Sequence, residues 1–304
     1  METLGKKHFN VFAKLLRVLA FSLAAVIAMG TLAGCGKNID TPIVSEPVET
    51  EAPPITLPPE TTTEATTTEP PPPVEPDPLE KYLEYYEQNN DFVGWIRIDG
   101  ITHSNGDPWI DYPVVQTTDN NYYLDKSFEQ KKSAKGCIYA DFKVPITGLN
   151  MADNVTLYGH SNKDGSFFRH VLDYKKLDTV KSAYIINFDT RWEEAQYVVV
   201  ACFLVGIRED QDDIPLFEYF KCRNFDTEED YNYFYDNIML RNYYTTGIEC
   251  EYGDQFLTLS TCSYEFSDSR YVVVARKLRE GEDPSVYKDT YAKNSNVHMP
   301  KKAR

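Results

Sequence analysis

The sequence predicts a mainly β domain, a barrel or sandwich with peripheral helices. Short apolar runs of extended period recur between turn signals from Phe92 onward, only three stretches carry helical spacing, and the strands read from Phe256 and Arg270 are close enough in sequence to pair. Taken in order, Leu79, Tyr82, Leu83 and Tyr86 fall at i, i+3, i+4 and i+7, so a short helix opens the domain. Phe92 to Ile98 reads as a strand, Asp99-Gly100 as a turn and Ile110 to Val115 as a second strand. Further extended runs lie at Gly136 to Ala140, Asn154 to Tyr158, Ala183 to Phe188 and Tyr197 to Val205. Ser166 to Tyr174 reads as a short amphipathic helix carrying Phe167, Val171 and Tyr174 on one side. A longer helix is expected from Thr227, a plausible N-cap followed by Glu228, Glu229 and Asp230, to about Tyr243. Its apolar face is Tyr231, Phe234, Tyr235, Ile238 and Met239, and it lies in a roughly 50-residue excursion between Val205 and Phe256. Such an insertion either carries specificity or only covers the barrel.

The stretch from Phe256 to Cys262 places Phe256, Thr258, Ser260 and Cys262 on one face of a strand and Leu257, Leu259 and Thr261 on the other. Ser263 to Ser269 then reverses the chain, so Arg270 begins an antiparallel partner near Cys262, ahead of the apolar run from Tyr271 to Ala275. A guanidinium beside a thiol favours the thiolate.

Composition divides the chain. Lys6, Lys7, Lys14 and Arg17 precede an uncharged stretch from Val18 to Gly34, the layout of an export signal. Leu32-Ala33-Gly34-Cys35-Gly36 resembles a lipobox whose cysteine is acylated after cleavage; the alternative is that the stretch stays uncleaved as a signal anchor. Either way the protein is expected at the extracytoplasmic face of a cell membrane. Residues 36–78 hold 12 of the 18 prolines, nine threonines and nine acidic residues, with one lysine and no aromatic residue, so they are expected to be a disordered linker. Fully extended as polyproline, that linker would span on the order of 130 Å. The domain is expected over residues 79–280, with a C-terminal tail at 281–304. The net charge of -16 comprises +3 over residues 1–35, -8 over 36–78 and -11 over 79–304, which argues against a nucleic-acid partner.

Of the five histidines, His8 lies in the export signal, His298 in the lysine-rich tail and His170 in the short helix, which leaves His103 and His160 as candidates. His160 follows the strand ending at Tyr158, and Gly159 would let the backbone turn sharply to project the imidazole. A cysteine and a histidine brought together from distant positions is the signature of a thiol nucleophile, although a buried cysteine and a loop histidine are also common structural residues. Cys137, Cys202, Cys222 and Cys250 allow three disulfide pairings, none of which the sequence selects. No cluster has zinc-ligand spacing, no phosphate-binding glycine loop appears, and no cofactor is expected.

Tyr158-Gly159-His160 and Thr258-Leu259-Ser260-Thr261-Cys262, with Arg270 opening the next strand, resemble the active-site motifs of sortases, cysteine transpeptidases of Gram-positive cell surfaces. Asp91-Phe92-Val93-Gly94-Trp95-Ile96, Asp111-Tyr112-Pro113-Val114-Val115-Gln116 and Asn121-Tyr122-Tyr123-Leu124 resemble class B sortases in particular. The resemblance covers about residues 79–279. It implies a closed sortase-type β-barrel of about eight strands, with the excursion as the helix-containing loop between strands six and seven. It also implies that Cys262 attacks the carbonyl of a C-terminal sorting motif in a secreted protein, and that the resulting thioester is resolved by an amine of a cell-wall precursor or, in a pilin-polymerising enzyme, by a lysine. His160 would transfer protons and Arg270 would meet the oxyanion or the peptide backbone. Ser260, Thr261 and Tyr158 are expected near the substrate, although Ser260 is as readily an ordinary strand serine and Tyr158 a core residue. A hydrolytic cysteine peptidase and a catalytically silent surface-binding lipoprotein are the rival readings.

Overall fold

The structure, a computed structural model, describes residues 73–304. The export signal, Cys35 and the linker as far as residue 72 lie outside the described residues. Eight strands close a barrel: β1 (Phe92–Thr102), β2 (Pro108–Val115), β3 (Ile138–Ala140), β4 (Asn154–Tyr158), β5 (Ile185–Thr190), β6 (Gln196–Gly206), β8 (Phe256–Ser263) and β9 (Ser269–Lys277). Around the wall the order is β1-β2-β3-β4-β8-β9-β6-β5, and β1 pairs with both β2 and β5, so the sheet has no free edge. The remaining pair, β7 (Tyr244–Thr245) with β10 (Ala292–Lys293), forms a separate two-stranded sheet.

Residues such as Ile96, Ile98, Ile110, Val114, Val155 and Leu157 are fully buried. In β1, β2 and β5 burial alternates or is partial, whereas ten of the eleven residues of β6 are buried and β9 is buried from Tyr271 to Arg276. Those strands are covered on both faces, which is why their sequences read as unbroken apolar runs. Helix α3 (Glu228–Arg241) provides part of that cover through Tyr231, Phe234 and Ile238. Thr227 caps it as expected: Asp230 N donates to its Oγ1 at 3.2 Å, and its own N–H donates to Asp230 Oδ2 at 3.0 Å. Tyr235 and Met239 are only half-buried.

Three local expectations change. Asp99-Gly100 is not a turn but part of β1, and Gly100 is needed because a Cβ there would lie 2.0 Å from the Ser182 carbonyl at the end of helix α2 (Leu177–Ser182). The short helix after Ser166 is a 3-10 helix over Phe168–Lys175. Its three-residue period buries Phe168, Val171 and Tyr174, leaving Phe167, at φ 56°, to pack on Tyr112. The opening helix is a 3-10 turn (Glu80–Tyr82) running into α1 (Leu83–Gln88), with Tyr82 buried and Leu83 exposed. The C-terminal segment 281–304 is packed onto the domain: Tyr291 is buried and its hydroxyl donates to the Val199 carbonyl at 2.7 Å.

Candidate active site

Parallel pairing of β4 with β8 sets Tyr158 opposite Ser260, so the residues leaving β4 arrive beside Thr261 and Cys262. Gly159 N donates to the Ser260 carbonyl at 3.3 Å, and Thr261 Oγ1 donates to the Gly159 carbonyl at 2.8 Å. These two bonds fix the step that carries His160. Gly159 is there for close packing rather than a sharp turn: its φ is not positive, and a Cβ would lie 2.7 Å from the Phe168 ring.

Antiparallel pairing of β8 with β9 sets Cys262 directly opposite Arg270. The intervening loop is held by Ser269 Oγ, which donates to the carbonyls of Ser263 and Phe266 at 3.0 and 2.8 Å. Arg270 Nη1 donates to the Ser269 carbonyl at 3.1 Å, which anchors one edge of the guanidinium.

His160 Nε2 lies 2.9 Å from the Leu124 carbonyl. A carbonyl only accepts, so Nε2 carries the hydrogen and the neutral ring presents Nδ1 as its free base. Gly136, at φ +68°, closes the other side, since a Cβ there would meet the Tyr123 and Leu124 carbonyls at 2.8 and 2.9 Å and His160 Cδ2 at 2.9 Å. A Gly136→Ala variant is expected to displace the imidazole and lower kcat at least about tenfold, while costing about 1–2 kcal/mol of stability. Turnover measured alongside thermal melting checks both; an unchanged kcat in a folded variant counts against this placement of His160.

Cys262, His160 and Arg270 line one cleft of about 510 Å³. Its lining includes Leu124, Tyr139, Phe142, Tyr158 and Tyr219, together with Lys143, Lys221 and Arg223, three cations unexpected from the acidic chain. Asp141 is buried beside it and accepts from Tyr158 Oη at 3.0 Å, Asn120 Nδ2 at 3.0 Å and Arg223 Nε at 3.3 Å. Burial, then the Tyr219 and Asp141 fields, raises the Tyr158 phenol well above its ordinary range. Burial followed by the field of Cys262 pushes Tyr139 up to about 12. These phenols are neutral hydrogen-bonding groups, not bases.

Ser260 faces the cleft but bonds neither Arg270 nor open space: its Oγ shares a 2.7 Å hydrogen bond with Tyr219 Oη. Thr261 is buried and serves the Gly159 clamp. His103 does not line the cleft; its ring is stacked on Trp109 with centroids 3.4 Å apart, and His170 stacks on the same indole at 4.3 Å. The five described cysteines are free thiols; burial pushes Cys137 and Cys250 up to about 12 and Cys222 up to about 11. Among the described residues no group of three or more His, Cys, Asp or Glu is placed to hold a metal ion, and no helix is long and apolar enough to cross a membrane. Sequence reasoning missed Asp141, Tyr219, Gly136 and the Leu124 carbonyl. The first two carry no motif, and a backbone carbonyl has no residue signature at all.

A larger cleft of about 780 Å³ lies away from the thiol, lined by Lys81, Tyr85, Trp95, Arg97, Asp111 and Asp189 among others. Its charged groups are already paired with one another, Lys81 with Asp189 and Arg97 with Asp111.

A sortase domain model matches residues 106–278. The chain is similar to sortase B of Staphylococcus aureus, 30% identical over 193 residues that span 63% of this chain and 72% of the relative. Among solved structures, a sortase B–substrate complex from S. aureus aligns at a TM-score of 0.57 with 28% identity, over 66% of this chain and 86% of the other. Sortase B of Bacillus anthracis aligns at 0.56 with 26% identity, over 68% and 90%.

Proposed function

The chain belongs to the sortase family of cysteine transpeptidases, is class B-like within it, and we propose that it uses Cys262, His160 and Arg270 to move secreted proteins onto an amine. The observation that carries this reading is the meeting of thiol, imidazole and guanidinium in one cleft. In the proposed reaction the Cys262 proton passes to His160 Nδ1, and the thiolate adds to the carbonyl carbon of a sorting motif near the C-terminus of a secreted protein. The oxyanion is met by Arg270. As the C–N bond breaks, the imidazolium returns its proton to the departing amine, leaving a thioester on Cys262. An acceptor amine then adds, loses its proton to His160 and displaces the thiolate, so the peptide bond is exchanged without net oxidation or added cofactor. The acceptor in this reading is an amine of a cell-wall precursor.

The N-terminal basic and apolar stretches support placing the enzyme at the outer face of a membrane, held by a signal anchor or by lipidated Cys35. A lipobox is unusual for such enzymes, so the mode of attachment is part of the proposal. The acidic linker would hold the domain away from that surface.

Mass spectrometry of products formed by the full chain from a peptide library, with a glycine-type amine or a lysine as acceptor, tests the reading. Ligated product that disappears with Cys262→Ala is expected. Ligation to lysine alone would favour pilin polymerisation, hydrolysis alone a cysteine peptidase, and no acyl transfer to any acceptor would favour a silent binding module.

A further inference from the structure

The sortase domain model ends at residue 278, yet the chain beyond it is folded onto the end of α3 and onto the loop that leaves β6. β10 pairs with β7 just past the end of α3. Asn294 donates from N to the Tyr243 carbonyl and from Nδ2 to the Asn242 carbonyl, both at 2.9 Å, and His298 N donates to the Leu240 carbonyl at 3.0 Å. Having wrapped the end of the helix, the segment grips the loop that leaves β6. His298 Nε2 lies 2.9 and 3.0 Å from the two Asp212 carboxylate oxygens, Pro300 is buried, and Arg304 Nη1 donates to Asp213 Oδ2 at 2.8 Å.

That loop runs directly into the cleft. Ile207 at its start and Tyr219, Phe220 and Arg223 beyond it all line the site. Between them Phe217 is buried under the Arg241 guanidinium, 5.1 Å from the ring centre, and Tyr219 Oη is bonded to Ser260, two residues from Cys262. None of the contacts made by His298 or Asp212 reaches the thiol or the imidazole.

We propose that residues 292–304 form a strap that positions the Ile207–Arg223 wall to receive the peptide, with His298 and Asp212 as positioning residues; the substrate role rests on reading this cleft as the peptide site. The pair is largely withdrawn from water, at 18% and 14% side-chain exposure, so the loop is held in one geometry before substrate arrives. A wall already ordered spares the peptide the cost of ordering it, and its loss weakens peptide binding more than bond-making.

Hydrogen–deuterium exchange of the full chain, read over 207–223 and over 256–277, tests the strap without any substrate. In a His298→Ala/Arg304→Ala variant, exchange over 207–223 is expected to rise about fivefold or more with 256–277 unchanged. His298→Gln, which keeps a donor to Asp212, is expected to restore the protection. With a peptide shown to react, KM is expected to rise about fivefold in the double variant while kcat stays within about twofold. Unchanged exchange over 207–223 overturns the strap, and faster exchange with unchanged KM, or with kcat falling at constant KM, overturns its role toward the peptide. If no peptide reacts with the unaltered chain, the transpeptidase assignment fails, while the exchange experiment still decides whether the strap holds the wall.

Discussion

Alanine at Cys262 is expected to end thioester formation outright, whereas lysine at Arg270 is expected to leave acylation proceeding about a hundred- to a thousandfold more slowly. The two positions face each other across β8 and β9, so both side chains are placed by barrel hydrogen bonds rather than by loop chance. Removing the sulfur removes the only atom in the cleft proposed to carry the acyl group. Replacing the guanidinium keeps the charge but loses the planar fork, one edge of which is tied to the Ser269 carbonyl while the rest stays oriented toward the site. A lysine ammonium would be a mobile point charge unable to reproduce that geometry. Single-turnover acylation followed by intact mass measures both variants. Acylation by Arg270→Lys at the unaltered rate would remove Arg270 from oxyanion stabilisation, and acyl-enzyme in Cys262→Ala would move the nucleophile elsewhere.

Glu282→Gln is expected to cost about 3–5 kcal/mol of stability, because it strands a buried cation. Arg276 lies on β9, six residues beyond Arg270, with 1% of its side chain exposed. Its Nη1 donates to Glu282 Oε2 at 3.0 Å and its Nη2 to Oε1, while Asp254 is 4.0 Å away. Arg276 first, with Tyr287 and the Arg279 N–H, holds the Glu282 carboxyl down at about 2, against an ordinary 4.5. A carboxyl depressed on folding stabilises the protein above its unfolded value, and that contribution is lost as pH falls from about 4.5 towards about 2. Thermal melting of the parent should therefore decline through that window, and the Gln variant should start lower and decline less. Equal melting temperatures at neutral pH would show that Asp254 alone satisfies Arg276.

The strands were legible because each advertises its burial, β1 and β2 as mixed runs and β6 and β9 as unbroken ones, whereas their closure into a barrel rather than a sandwich came from the sortase resemblance. Thr227 announced α3 because a side chain that caps a helix also marks its start. The meeting of Cys262, His160 and Arg270 in one cleft was legible from the spacing of Cys262 and Arg270 about a chain reversal and from the resemblance of Tyr158-Gly159-His160 to a sortase motif. Tyr219 and Asp141 were not, since a phenol and a carboxylate inside long connections look like any others until the fold brings them to Ser260 and Tyr158. The 3-10 helix after Ser166 was misread for a similar reason: spacings of three and four differ by one residue, and Phe167 and Phe168 are both aromatic. The C-terminal segment read as a tail because its buried residues, Tyr291 and Pro300 among them, are scattered and most of its other contacts are hydrogen bonds and ion pairs, which leave no apolar period.

The clamp between Thr261 and Gly159 joins residues roughly a hundred positions apart, and it depends on β4 and β8 lying side by side. An emerging or unfolded chain therefore carries Cys262 as an unremarkable thiol, far from any imidazole and from the carbonyl that orients it. Parallel pairing over so long a separation is intrinsically slow, because the closure entropy of the intervening chain must be met first. In the proposed reaction Cys262 therefore gains its imidazole and guanidinium partners only once the barrel has closed, so reactivity is expected to follow folding.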